Sequence, residues 1–237
     1  MTKLHTWIVV AIIAAASHAQ TPPKLSAASL RYVDYRVEIT EPPFALGKAK
    51  ALIKSHTQHI ISAKAFNAIS VPERFTYTML FAEEDSQNCD GMPQIAGEEN
   101  MIFGNVPDAF DGGNKVWSDR QEAFLKNHRA QVIGLIRKTI KARNRVGINL
   151  KSAIVQLDAY ELIPDILAVY RRDRKDQDIL TTCLALMHNA KYKPFLTTPT
   201  YKKLYGDKAS YQAFIVANKA NQDLTMQRAV AFYQSKA

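Results

Sequence analysis

Glu83, Glu84 and Asp85 stand side by side, and carboxylates set close together can divide the work of glycosidic cleavage. One protonates the leaving oxygen while another acts as base or nucleophile, so all three are candidate catalytic groups. They open an unusual segment. Between Phe81 and Gly113 the sequence holds eight acids, no Lys or Arg, and five of the chain's nine glycines. Within it, Ser86, Asn88, Asp90 and Gly91 alternate oxygen ligands up to a glycine, like the first half of a calcium loop, which makes Asn88 and Asp90 candidate ligands. The second half departs from that pattern: the twelfth position is Gly97, and Glu98 comes one residue late. His56 and His59, three apart, would share one side of a helix and form a second candidate metal pair. No cofactor is otherwise called for, and calcium is the alternative.

The rest of the chain is basic. Its formal net charge is +9 although the acidic segment contributes only negative charge, so the two signs are segregated. Arg137, Lys138, Lys141 and Arg145, with Lys126, fall on the side of a helix opposite Phe124, Leu125, Val132, Ile133, Leu135, Ile136 and Ile140. Together with Arg171 and Arg172 they are the candidate binding surface. The start of the chain decides which partners such a surface can meet. Lys3, an apolar run from Trp7 to Ala16, and small residues at Ser17 and Ala19 read as a secretory signal over residues 1–19, cut before Gln20. The run is too short to span a bilayer as a helix, and no later segment approaches that length without charges. A periplasmic or secreted protein that is not transmembrane is expected. Nucleic acid is then excluded as a partner, which leaves an envelope protein or an anionic glycan or lipid surface. Export also permits a disulfide, and Cys89 with Cys183 is the only intrachain pair.

The elements that must position these groups are mainly helical. Alternation of Val33, Tyr35, Val37 and Ile39 with polar residues suggests an extended N-terminal segment over residues 20–46. A helix follows over Lys48 to Ile69, ended by Val71-Pro72. "ERFTYTMLF" fits a strand or a buried helical turn equally well. The acidic stretch, rich in glycine, reads as an irregular loop over 81–113, long enough to bind something or cover a site. Ser118, with Gln121 three residues on, starts a helix to about Arg145, and Gly147 with Asn149 breaks it. Helices over Leu150 to Leu157, Leu162 to Arg171, Asp178 to Asn189, Tyr201 to Tyr205, Ser210 to Ala217 and Asp223 to Ser235 complete a single helical domain from residue 47 to 237. His128 and His188 read as packed or capping residues.

"ELIPDILAVY", "RRDRKD" and "ILTTCLALMHNA", within Leu157 to Ala190, resemble the first helix, turn and second helix of one HEAT or armadillo-type repeat. That resemblance implies a stacked helical body offering surfaces to partners. The expected fold is therefore an α-helical bundle or short α-solenoid with a long acidic loop. The nucleophile elbow, zinc helix, P-loop and dinucleotide fingerprint are all missing from the sequence. The expected function is a noncatalytic binding or interaction protein of the cell envelope. The alternative is a polysaccharide-directed envelope hydrolase using the loop carboxylates, with or without a metal.

Overall fold

The computed structural model describes residues 25–55, 60–85, 95–110 and 115–236, and over them the chain is mainly helical. The expected signal over 1–19, the metal candidates His56, His59, Asn88 and Asp90, and Cys89 lie outside these residues.

The first described element is a helix, α1 (Ala27–Val37), where an extended segment was expected. Ser26 caps it, its Oγ accepting from Ser29 N at 3.0 Å. The alternation that suggested a strand straddles the helix end: its first half is α1 and its second half, from Glu38, is extended. That extended stretch docks on α7 (Ile148–Gln156). Thr40 N donates to Asn149 Oδ1 at 2.9 Å, and Asn149 Nδ2 donates to the carbonyls of Thr40 (3.0 Å) and Met79 (2.8 Å). Gly147 permits the contact, because a Cβ there would lie 2.7 Å from Ile39 C. Gly147 and Asn149 therefore do more than end a helix: they join the N-terminal arm to the core.

The helix expected over 48–69 is divided. Helix α2 (Leu46–Ser55) is followed by α3 (Ala63–Ala68), whose start is fixed by extended Ser62, capping Ala65 N at 3.1 Å. "ERFTYTMLF" belongs to α4 (Val71–Leu80), opened by a Ser70 and Glu73 capping box and buried over Phe75 to Met79. The expected helix from Ser118 is also two: α5 (Asp119–Asn127), with the capping box of Ser118 and Gln121, and α6 (Arg129–Arg143), separated at His128. The apolar period continues through His128, so the break leaves no trace in the pattern.

Helices α8 (Ile163–Asp173) and α9 (Gln177–Asn189) follow. Every residue of α9 from Gln177 to Met187 is buried, and α7, α8, α10 (Lys193–Leu196) and α12 (Lys219–Gln234) pack around it. A helix covered on all sides is the centre of a domain, and each fully buried Leu, such as Leu180 or Leu184, contributes about 2 kcal/mol. Cys183 lies in this helix as a free thiol with no exposure, pushed up to about 12 by burial.

Part of the acidic stretch is regular where irregular chain was expected. Strand β1 (Glu84–Asp85) pairs antiparallel with β3 (Lys115–Val116), and β2 (Met101–Phe103) pairs with β4 (Phe214–Val216). The second pairing replaces the helix expected over Ser210 to Ala217. In its register Ile102, fully buried, faces Ile215 across the ladder.

Candidate functional site

Glu83, the first catalytic candidate, is enclosed between α4 and α5. Its Oε2 accepts from Arg120 Nε and Ser118 Oγ, both at 2.6 Å; its Oε1 accepts from Arg120 Nη2 and from the Tyr77 hydroxyl at 3.0 Å. Burial pushes this carboxyl upward, but the bonds from Arg120 and Ser118 outweigh it and hold the group below its ordinary 4.5. Glu84 and Asp85 are exposed on β1, with Asp85 in an ion pair to Lys115. The three carboxylates are thus not gathered at one site.

The basic candidates are also divided. Arg137 pairs with Asp165 at 2.9 Å, and Arg145 pairs with Glu38 at 2.6 Å while covering the Tyr35 ring at 4.2 Å. Arg172 donates to Asn144 O and Asp173. Lys138, Lys141 and Arg171 are exposed and have no ion-pair partner among the described residues.

A denser set of charges joins α1, the acidic stretch and α9. Arg36 donates twice to Asp178, at 3.0 and 3.1 Å, and once to Glu98 at 2.6 Å. Beside it Lys151 donates to Asp176 at 2.6 Å with both side chains nearly unexposed, and the Tyr35 hydroxyl reaches the other Asp176 oxygen at 3.4 Å. Burial pushes the Asp176 carboxyl up, against the pull of Lys151. Glu98 is the one member that the acidic stretch supplies.

A different arrangement surrounds a cleft of about 350 Å³, near the lower end of the roughly 300–1,000 Å³ usual for small-molecule sites. Two helices supply its floor in the same way. Ser152, Val155 and Gln156 of α7, and Ala185, His188 and Asn189 of α9, are spaced i, i+3, i+4 and so share a face. The rim is the chain from Gly104 to Ala109, held by side chains of the helices beneath. Tyr205 of α11 (Pro199–Tyr205) donates its hydroxyl to Gly104 O at 2.5 Å, and Ser152 Oγ donates to Pro107 O at 3.0 Å. Trp117 completes the wall, fixed by its indole N–H on Thr78 O at 2.7 Å and by an edge contact with Phe110.

Two residues of the lining each bury a polar atom with no hydrogen-bond partner among the described residues, Gln156 Oε1 and His188 Nδ1; Tyr32, Arg74, Thr78, Glu99 and Arg145 do the same elsewhere. Such atoms cost about 1–3 kcal/mol each when left unpaired. The His188 ring lies flat on Tyr205, with centroids 4.2 Å apart and planes 6° from parallel, and burial lowers its pKa below the ordinary 6.5. It is packed, as its sequence context suggested, with its Nδ1 enclosed. Asp108 and Glu122 also line the cleft; Glu122 pairs with Lys126 at 2.9 Å, and Asp108 has no ion-pair partner among the described residues. The sequence did not connect these residues. The one local signal is polar Ser152 and Gln156 on a face of an otherwise buried helix.

Among the described residues, no group of three His, Cys, Asp or Glu side chains is placed to hold a metal ion, and no helix is long and apolar enough to cross a membrane. Comparison with protein-family models, with curated proteins and with solved structures yields no match.

Proposed function

We propose that this chain is an exported, noncatalytic binding protein of the cell envelope, and that its ligand enters the cleft between the Gly104 to Ala109 rim and the floor of α7 and α9. One observation carries this reading: the cleft of about 350 Å³ brings the Trp117 and Tyr205 rings together with Ser152, Gln156 and His188 from separate stretches of the chain, a concave lining of rings with a few polar groups, as small-molecule sites have. The signal over residues 1–19 supports export. Binding is favoured over hydrolysis because both Glu83 oxygens are engaged by Arg120, Ser118 and Tyr77, and Glu84 and Asp85 lie on an exposed strand. Lys138, Lys141 and Arg171 remain the part of the basic surface suited to an acidic partner.

Trp117 provides the test. The sequence has two tryptophans, Trp7 and Trp117, so the processed chain over residues 20–237 reports fluorescence from the cleft wall alone. A library of small polar aromatic compounds is expected to yield binders that shift Trp117 emission and raise the melting temperature, since ligands selective for the folded state stabilise it by mass action. Val155→Phe, checked for native fold by circular dichroism, should fill the cleft and abolish both responses. Binders indifferent to Val155→Phe, or none at all, would contradict the reading.

A further inference from the structure

Helices α6 and α8 lie side by side and parallel, bonded at three levels with one constant offset. Arg129 Nε donates to Leu157 O at 2.9 Å, Arg137 Nε to Asp165 at 2.9 Å and Arg172 Nη1 to Asn144 O at 2.8 Å, each bond joining residues 28 apart. The two helices therefore end together. Over the first part of the pair, cations are matched by carboxylates, Arg129 by Glu161 and Arg137 by Asp165. One turn further the matching stops. Lys141 follows Arg137 at i+4 on the same face of α6, whereas α8 carries no acid between Asp165 and Asp173.

The shared end presents five exposed cations, Lys138, Lys141 and Arg143 on α6 and Arg171 and Arg172 on α8. Asp173 meets one of them, pairing with Arg172 at 3.0 Å. Arg143 reaches only a carbonyl, Glu41 O at 2.9 Å, and the Glu41 carboxylate is taken by Lys50. Lys138, Lys141 and Arg171 have no ion-pair partner among the described residues. The helix dipoles account for part of this cluster: each C-terminus carries about half a negative charge, so the two ends together offset about one cation. The remainder faces solvent.

An exposed field of cations without apolar anchors restricts the partner. No described residue that exposes a large apolar side chain lies on α6 or α8, so a folded protein would find nothing there with which to build the apolar core of an interface. A layer of lipid phosphates needs neither a pocket nor an anchor. Its headgroups move laterally to meet the cations, and clusters of four to eight Lys and Arg on a helical surface suit such a layer. We propose that the joined ends of α6 and α8 dock the protein reversibly on an anionic lipid surface, whose phosphates meet Lys138, Lys141, Arg143, Arg171 and Arg172. This inference names the acidic partner of the basic surface and is independent of the cleft.

Vesicle sedimentation tests it, with residues 20–237 and vesicles of phosphatidylcholine alone or with about 30 mol% phosphatidylglycerol. The protein should sediment only with the anionic vesicles and be released as salt rises from about 0.05 to 0.5 M, because screening shortens the reach of the charges. Lys138→Gln with Lys141→Gln should weaken binding at least tenfold, at about fivefold per charge, and Arg171→Gln alone about fivefold. Lys138→Arg with Lys141→Arg should bind like the parent. Lys202→Gln with Lys208→Gln removes the same charge from exposed positions on another part of the chain and should change binding less than about twofold. Melting temperature checks the fold of each variant. Equal losses from the two Gln pairs would assign the binding to the net charge of +9 and overturn the inference. So would failure to sediment with anionic vesicles; heparin titrated in parallel, if bound through Lys138 and Lys141, would then move this face to a polyanionic glycan. None of these outcomes bears on the cleft, which the Trp117 measurement tests separately.

Discussion

Two polar regions lie on the same pair of helices, α7 and α9, and treat their polar atoms in opposite ways. At the start of α9, Asp176 and Asp178 are met by Lys151 and Arg36, and Arg36 also draws in Glu98. Toward the other end, Gln156 and His188 each bury an atom with nothing opposite. The first region ties four separated parts of the chain together, so its charges are matched within the protein. The second is polar, roomy and unmatched. The contrast is one of degree, since Tyr32 beside Asp176 and Asp178 also buries an unpartnered hydroxyl; what sets the second region apart is that its residues line a cleft.

The largest effect should come from breaking the closed region. Lys151→Met leaves Asp176 buried without its cation, and loss of one partner from a buried pair costs about 3–5 kcal/mol. Urea unfolding should register that loss, and adding Asp176→Leu should restore most of it. A cost under about 1 kcal/mol for Lys151→Met would mean that this region does not hold the fold.

Glu83 should follow, with a smaller effect. Glu83→Gln keeps the shape but removes the charge from bonds to Arg120 and Ser118, at a cost of about 1–3 kcal/mol. The pH dependence has a defined sign. Because the folded carboxyl is held below 4.5, its contribution is complete above that value and is lost as pH falls through 4.5 toward the lower folded value, where the unfolded chain takes up the proton first. Unfolding measured from pH 7 to pH 3 should therefore converge for the parent and Glu83→Gln. A gap that stays constant over that range would contradict the assignment of Glu83 as a charged structural group.

The helical body was legible in the sequence because its determinants are local. Ser118 and Gln121 form the capping box that their spacing suggests, and Val132, Ile133, Leu135, Ile136 and Ile140 are buried on one face of α6 as their period requires. Elements fixed by distant partners were not legible. Phe214 to Val216 is read within a helix over Ser210 to Ala217, yet its aromatic and β-branched run suits a strand, and it pairs with the edge that Met101 to Phe103 offers. Helix α1 is docked by Arg36 reaching Glu98 and Asp178, groups 62 and 142 positions away. The cleft was harder still. Trp117, Gln156 and His188 come from separate stretches, and nothing in the sequence says that Gln156 Oε1 will be left without a donor. The carboxylates crowded in sequence at 83–85 are separated by the fold, Glu83 enclosed and Glu84 and Asp85 exposed.

The closed and open regions make opposite demands on one substitution, and the most direct measurement uses Gln156→Leu. Its unfolding free energy and its response at Trp117 to a cleft binder from the compound library should be determined on the same preparation. The account predicts stability unchanged within about 0.5 kcal/mol or slightly increased, because an unpaired polar atom has been removed, together with an affinity for the binder reduced about tenfold. A variant that loses stability and keeps its affinity would place Gln156 with the structural groups and contradict the reading of the cleft as a binding site.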